Sequence, residues 1–194
     1  NPPDIETPVD YISFNYVIKS KSTESNFIDF LKKRFPVERI RQVSDEYMLG
    51  ATKSRDVIFW QIDFTGKVRT GKIMKYDPLI GKRIHNKSGA INWVHNKLKQ
   101  QGKISQNFNL AQCLFGEHLL KCYPQKVVAI VESEKTAVLA SVLYPEYIWL
   151  STGTLNGLTL DKCFVLEKRT VIIFPDLGKA HTIWKQRAEE ISKF

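Results

Sequence analysis

The chain has 194 residues, 43% of them hydrophobic and 11% aromatic, which suits one large domain or two small ones with a real core. It contains no apolar run of about 18 residues and no signal-peptide h-region, so a membrane-spanning helix is excluded. Its net charge of +9 is uneven, since residues 1–108 carry 19 Lys and Arg against 11 Asp and Glu, whereas residues 109–194 carry 10 against 9.

The chain opens on Asn-Pro-Pro-Asp without an initiator Met, as an excised or truncated piece would. Residues 1–15 are Pro-rich and acidic and read as an extended arm. Ser25 or Asn26 is placed to cap an amphipathic helix over residues 27–35, with Phe27, Phe30, Leu31 and Phe35 at helical spacing. Pro36 ends it, and a β-rich section follows. Residues 57–64, VIFWQIDF, read as a strand, and Thr65-Gly66 turns the chain into a second strand over 67–76. Another turn, DPLIG at 77–81, leads to Lys82 and Arg83. Residues 91–99 read as a helix with Ile91, Val94 and Leu98 on one face. The polar segment 100–109, which holds Gly102, separates a basic α+β lobe, 1–108, from a second lobe, 109–194.

From Leu110 the pattern changes. Residues 110–121 read as a helix, after which strands and helices alternate. The order is strand 127–131, helix 134–143, strand 147–150, a short turn or helix near 156–162, strand 171–174 and helix 181–194. Such alternation predicts βαβ units and a mostly parallel sheet. The three cysteines, Cys113, Cys122 and Cys163, lack C-x-x-C spacing and fit buried thiols in a reducing cytoplasm. His85, His95, His118 and His181 are scattered, which argues against a structural metal, and His95 and His118 read as structural rather than catalytic.

Two of these strands end in acids. The first, within VVAIVESEKT at 127–136, delivers Glu132, and the strand 171–174 delivers Asp176 after Pro175. In an open α/β sheet, ligands collect outside the carboxyl ends of the strands. Two carboxylates sharing that edge suit Mg²⁺ bound together with phosphate oxygens. Ordinary capping accounts for Ser133 and Glu134, but Glu132 precedes the cap. For Asp176 the alternative is a plain strand-to-helix turn with local hydrogen bonds. Between them, Ser151-Thr152-Gly153-Thr154 offers a Gly flanked by hydroxyls where a phosphate can approach the backbone.

Together these segments resemble the Toprim domain of bacterial primases, topoisomerases and related nucleases. Its signature is an apolar strand ending in Glu, then a strand followed by a Gly-Thr turn, then an apolar strand ending in Asp-x-Asp. Val131-Glu132, Gly153-Thr154 and Asp176 match in that order, and VESEKTA is most similar to primase-type Toprim proteins of plasmids, phages and conjugative elements. Residues 55–81, RDVIFWQIDFTGKVRTGKIMKYDPLIG, resemble the amino-terminal part of a primase core, where two strands form a basic ridge for template DNA. The resemblance implies a Toprim-like, mostly parallel sheet flanked by helices and preceded by a smaller basic lobe. It also implies Mg²⁺ or Mn²⁺ at Glu132 and Asp176, with Lys135 beside them, and nucleotide phosphates near Gly153, Thr154 and Lys179. The implied activity is nucleotidyl transfer for primer synthesis, in replication or in transfer of a mobile element. Nucleotides, single-stranded DNA or a primer-template, and a helicase or other replication protein are the implied partners. The sequence departs from the pattern at Ser133, where Gly is usual, and at Gly178, where the second Asp would stand. The usual fourth Toprim strand would lie beyond Phe194, and no Cys-rich zinc module precedes the core.

Between Lys53 and Lys103, 12 basic residues face only Asp56, Asp63 and Asp77, which favours a polyanion partner over a merely solvated surface. Lys67, Arg69, Lys72, Lys75, Lys82 and Arg83 are the candidate phosphate contacts, and Trp60 or Tyr76 a candidate base-stacking residue. In a regular strand Lys67 and Arg69 share a face and Lys72 takes the other, so one continuous patch requires a twist or bulge near Thr70-Gly71. Gly178 also leaves open a non-catalytic DNA-binding module, and a Toprim nuclease is the third reading.

Overall fold

Two sheets organise the chain, a four-stranded antiparallel one ahead of a three-stranded parallel one. The computed structural model describes residues 8–84 and 91–193. The first seven residues of the expected arm, His85, and the expected helix end at Phe194 lie outside the described residues.

In the rest of the arm, Ile12 bridges Val68, and a short helix the sequence reading does not provide, α1 (Asn15–Ser20), follows. Ser25 is the cap of α2 (Asn26–Lys32), its hydroxyl accepting from the Ile28 N–H at 3.2 Å. Pro36 does not lead into β structure as expected. It opens a further helix, α3 (Val37–Glu46), because a missing N–H costs nothing at a helix start. Ile40 and Val43 on α3, and Tyr47 just past its end, are buried.

The antiparallel sheet runs β1 (Gly50–Ala51), β2 (Val57–Ile62), β3 (Val68–Met74) and β4 (Ile91–Trp93). Every residue of β2 is buried, with Val57 and Phe59 in one core and Ile58, Trp60 and Ile62 in another. The Thr65-Gly66 turn forms as expected. Gly66 takes φ +86°, and the Asp63 carboxylate accepts from the Thr65 and Lys67 amides at 2.9 and 3.0 Å. The expected helix at 91–99 begins three residues late, since β4 occupies its start, but α4 (Val94–Gln100) still buries Val94 and Leu98.

The expected helix at 110–121 shrinks to α5 (Leu119–Cys122). Phe115 exchanges backbone hydrogen bonds with Ser151 at 2.9 and 3.1 Å, which draws this segment alongside the parallel sheet, and Gly116 at φ +85° breaks any continuous helix. Beyond it the predicted alternation is present. β5 (Val128–Val131), α6 (Glu134–Leu143), β6 (Ile148–Ser151), α7 (Leu160–Cys163), β7 (Val171–Phe174) and α8 (Lys179–Ile191) follow in turn. The three strands are parallel in the order β6-β5-β7, with β5 central. The molecule is therefore a mixed α/β fold with a helix-flanked parallel sheet.

The larger core draws on both halves of the chain. Phe27, Tyr47, Phe59 and Met74 share it with Phe115, Ile130, Leu150 and Trp184. Tyr47 ties the halves by polar contacts too, its Oη lying 2.6 Å from Ser141 Oγ and donating to the Trp149 carbonyl at 2.7 Å. No helix among the described residues is long and apolar enough to cross a membrane.

Candidate functional site

The parallel register decides where the two acids go. Val131 at the end of β5 is aligned with Phe174 at the end of β7, so Glu132 and Asp176 leave adjacent strands within one residue of each other. Neighbouring strands lie about 4.8 Å apart, which makes the two carboxylates neighbours on the carboxyl rim. Their electrostatics agree. Partial burial, and then the Asp176 charge, raise the Glu132 carboxyl above its ordinary value, while the Leu155 amide and Lys72 act against the rise. Like charges brought together in this way are a cation's natural neighbourhood.

The turn after β6 holds Glu132 at two points. The Gly153 N–H donates to the Glu132 backbone carbonyl at 2.9 Å, and the Leu155 amide lies close enough to the side chain to stabilise its charged form. Gly153 sits at φ +81°, and a Cβ there would lie 3.0 Å from Glu134 Oε1. Gly153 and Thr154 thus line the rim beside Glu132. Asp176, Lys179 and the intervening Gly178 are exposed on the other side.

Glu134 is not available to replace the absent second Asp. It is buried, and both its oxygens lie 3.1 Å from Lys72 Nζ, which also donates to the Gly153 carbonyl at 2.8 Å. Burial raises the Glu134 carboxyl and Lys72 opposes the shift. Lys72 itself is only 4% exposed, which corrects its expected role as a phosphate contact on an open surface. Lys135 points elsewhere as well. Its ammonium donates to the Gly81 carbonyl at 2.6 Å and lies 5.4 and 5.6 Å over the rings of Phe30 and Tyr76.

The basic face needs a bulge, and the structure has one. Gln61 pairs with Thr70 but Ile62 with Val68, so Arg69 is an extra residue in β3. The parity change lets Lys67 and Lys72, five residues apart, fall on the same side of the sheet. Lys67 is exposed and lies 4.6 Å over the Tyr11 ring. Arg69 is held by Asp63 at 2.8 Å, and Tyr11 also covers it at 4.9 Å. Lys75 is half-buried, and Lys82 and Arg83 are exposed beyond the 77–81 turn. Stacking by Trp60 or Tyr76 is overturned because both rings are buried. Trp60 donates its indole N–H to Ser20 Oγ at 3.0 Å, and Tyr76 packs on Phe27 and Phe59. Phe64 on this basic segment and Tyr11 in the arm packed beside it are exposed aromatics. His95 and His118 each have one ring nitrogen in contact with a polar partner. His95 Nδ1 lies 2.7 Å from Thr70 Oγ1, and His118 Nε2 contacts the Glu46 carbonyl at 2.9 Å.

The Lys72–Glu134 pair and the Arg69–Asp63 pair are the contacts around the candidate site that sequence reading misses. One signal was legible, since Lys72 sits between Gly71 and Ile73-Met74 in a strand that is otherwise buried. Among the described residues no cluster of three or more His, Cys, Asp or Glu side chains could hold a metal. Two all-oxygen donors, mutually repelling, fit a single Mg²⁺ that keeps several waters, and they do not fit a two-metal arrangement.

The fold is similar to the crystal structure of the primase fragment of the bacteriophage T7 primase-helicase protein. That match has a TM-score of 0.54 at 12% identity and spans 100% of this chain and 67% of that one. It is also similar to a chain in a bacteriophage T7 lagging-strand DNA polymerase complex with primase domains of two gp4 subunits bound to an RNA/DNA hybrid and dTTP. There the TM-score is 0.51 at 13% identity, over 96% of this chain and 80% of that one. No curated protein matches the chain significantly. Residues 25–177 match the family described as Domain of unknown function (DUF6371). That span runs from the cap of α2 to just past Asp176, so the chain, with its primase-like fold, belongs to the DUF6371 family.

Proposed function

We propose that this protein is a Toprim-type, primase-like nucleotidyltransferase whose two segments divide the work. Residues 1–108 hold single-stranded DNA or a primer-template on the exposed cations Lys67, Lys82 and Arg83 and the half-buried Lys75. Residues 109–194 carry the chemical site. The observation that carries the reading is the meeting of Glu132 and Asp176 on adjacent parallel strands within a primase-like fold. Glu132 and Asp176 are the residues that would hold Mg²⁺, which when bound neutralises phosphate charge during phosphodiester formation. Gly153 and Thr154 present backbone at the same rim for a nucleotide phosphate, and Lys179, at the start of α8, adds a positive charge on the Asp176 side. Lys135 contributes from the other direction by fixing the 77–83 loop to α6 through Gly81.

Replication or transfer of a mobile element, in the cytoplasm and beside a helicase or polymerase, is the setting this reading favours. A polymerase and an RNA/DNA hybrid accompany primase domains in one similar structure. The test is Mn²⁺ titration followed by electron paramagnetic resonance, with primer synthesis on single-stranded templates in parallel. Wild type is expected to bind Mn²⁺ and extend nucleotides, and Glu132→Gln/Asp176→Asn to do neither. Equal behaviour of the two proteins refutes the reading. A second reading rests on Gly178, which leaves only two acids at the rim, and makes the chain a non-catalytic DNA-binding module. Salt-dependent DNA binding without Mn²⁺ binding would select it, and metal-dependent cleavage of the strand would select a nuclease.

A further inference from the structure

We infer that Lys72 is a positioning residue for Glu132, acting across the two sheets through the Gly153 turn, and that Glu134 exists to hold it there. The inference deepens the functional reading above and rests on it, because it presumes that the orientation of Glu132 matters.

The chain of contacts is short and each link is direct. Lys72 projects from β3 of the antiparallel sheet into the rim of the parallel one. Its ammonium makes three hydrogen bonds, two to the Glu134 carboxylate at 3.1 Å and one to the Gly153 carbonyl at 2.8 Å, and lies 5.9 Å over the Trp93 ring. The Gly153 N–H then donates to the Glu132 carbonyl at 2.9 Å, and two residues on the Leu155 amide lies close enough to the Glu132 carboxyl to oppose the rise in its pKa. Gly153 is therefore gripped from both sides, by Lys72 through its oxygen and by Glu132 through its nitrogen. The residues on either side have their own bonds, Thr152 Oγ1 donating to the Thr154 carbonyl at 2.8 Å and Lys162 to the Thr152 carbonyl at 3.3 Å, so the Lys72 and Glu132 contacts are the ones that fix the Gly153 peptide itself.

Three features distinguish this from an ordinary ion pair. Both charged side chains are nearly withdrawn from water, at 5% and 3% exposure, so solvent cannot substitute for either partner. The pair spans 62 residues and joins the basic sheet to the chemical rim, so the placement of the DNA-facing strand and of Glu132 are mechanically linked. Finally, the ammonium's third N–H is satisfied by the turn itself, so the buried lysine cannot be fully hydrogen-bonded without also fixing the Gly153 carbonyl. Residues that orient ligands in this way influence metal affinity by about 10–100-fold when altered.

The measurements use the intact chain. Mn²⁺ affinity is read by electron paramagnetic resonance, and backbone amide exchange is followed by mass spectrometry on metal-free protein. The key variant is Lys72→Met/Glu134→Gln, which removes both charges together, keeps side-chain volume, and releases the Gly153 carbonyl. It is expected to weaken Mn²⁺ binding by about 10–100-fold and to accelerate exchange over residues 152–157, with β2 and β5 exchanging as in wild type. Should that variant not fold, Glu134→Asp, which keeps both charges and only draws the carboxylate back from Lys72, is expected to shift both readouts in the same direction by less. Wild-type Mn²⁺ affinity together with unchanged exchange over 152–157 overturns the inference. If wild type binds no Mn²⁺ that Glu132→Gln abolishes, the functional reading fails separately. Exchange in the metal-free protein then decides alone, with acceleration supporting the lock and no change refuting it.

Discussion

The buried pair also makes a quantitative prediction about stability, independent of any activity. Removing one partner of a buried ion pair leaves an uncompensated charge and costs about 3–5 kcal/mol. Lys72→Met leaves Glu134, with a side chain 3% exposed, facing an apolar methionine, and also strips the Gly153 carbonyl of its donor. Glu134→Gln leaves an ammonium with two neutral acceptors and belongs at the lower end of the range. The double variant buries no charge, so only the orphaned Gly153 carbonyl remains, worth about 1–3 kcal/mol. Two single losses of about 3–5 kcal/mol against a double loss of about 1–3 give a coupling of at least about 3 kcal/mol. Against a total stability of about 5–15 kcal/mol these are large effects. With a urea slope of about 2–3 kcal/mol per molar, each single variant is expected to lower the unfolding midpoint by about 1–2.5 M. Urea unfolding of the four proteins by circular dichroism measures this. Single losses below about 1 kcal/mol, or additive losses, would show that water reaches the pair and refute the reasoning.

Two further outcomes are expected. Lys82→Gln/Arg83→Gln alters only exposed side chains, so folding is unaffected, and the slope of log K against log salt for single-stranded DNA should fall by about 1.4 if both contact phosphate; an unchanged slope removes these two from the interface. Burial lowers the pKa of both His95 and His118. The unfolded chain then binds their protons first, so their stabilising contribution is complete above about pH 6.5 and is lost as pH falls towards the folded values, at up to about 2.7 kcal/mol per pH unit. His118→Gln should flatten that decline in a pH series of urea midpoints, and an unaltered pH dependence would contradict it.

How far the sequence carries the fold depends on how local the determinants are. The strand ending at Glu132 and the helix opening at Ser133 are legible because an apolar run, a hydroxyl cap and a helical pattern sit side by side. The Ser133 hydroxyl does accept from the Thr136 N–H at 3.1 Å. Parallel pairing of the strands before Glu132 and Asp176 is legible from strand–helix alternation, which confines both acids to one edge. The region 110–121 is not legible in this way. Its apolar spacing suits a helix, yet Phe115 finds backbone partners on Ser151, and no local pattern announces a contact 36 residues away. Pro36 misleads for a different reason, since the same ring that stops one helix is well suited to start another. Lys72 shows the same limit at the site. A lysine in a basic segment reads as a solvent-facing contact, and only the fold reveals that Glu134 waits for it. The bulge at Arg69 is the intermediate case, where the charge spacing called for an irregularity near Thr70-Gly71 and the register shift falls one residue earlier.

Gly178 separates charge from backbone as causes of the missing third acid. It caps α8 at φ +84° and ψ −132°, a conformation that suits glycine and costs other residues about 1–3 kcal/mol. A Cβ there would meet nothing within 4 Å, so the obstacle to a side chain is backbone strain and not space. Gly178→Asp and Gly178→Asn carry the same strain and differ in one negative charge. If position 178 faces an ion held by Glu132 and Asp176, a carboxylate within about 4 Å of a divalent cation in a water-like dielectric contributes about 2 kcal/mol. That corresponds to roughly thirtyfold in affinity. Both variants are expected to lose similar stability in urea, and the Asp variant to bind Mn²⁺ roughly thirtyfold more tightly than the Asn variant. Equal Mn²⁺ affinities would mean that the turn after β7 directs position 178 away from the ion. The two-acid site would then be complete as built, with the glycine kept for the path of the backbone into α8 and not as the scar of a lost ligand.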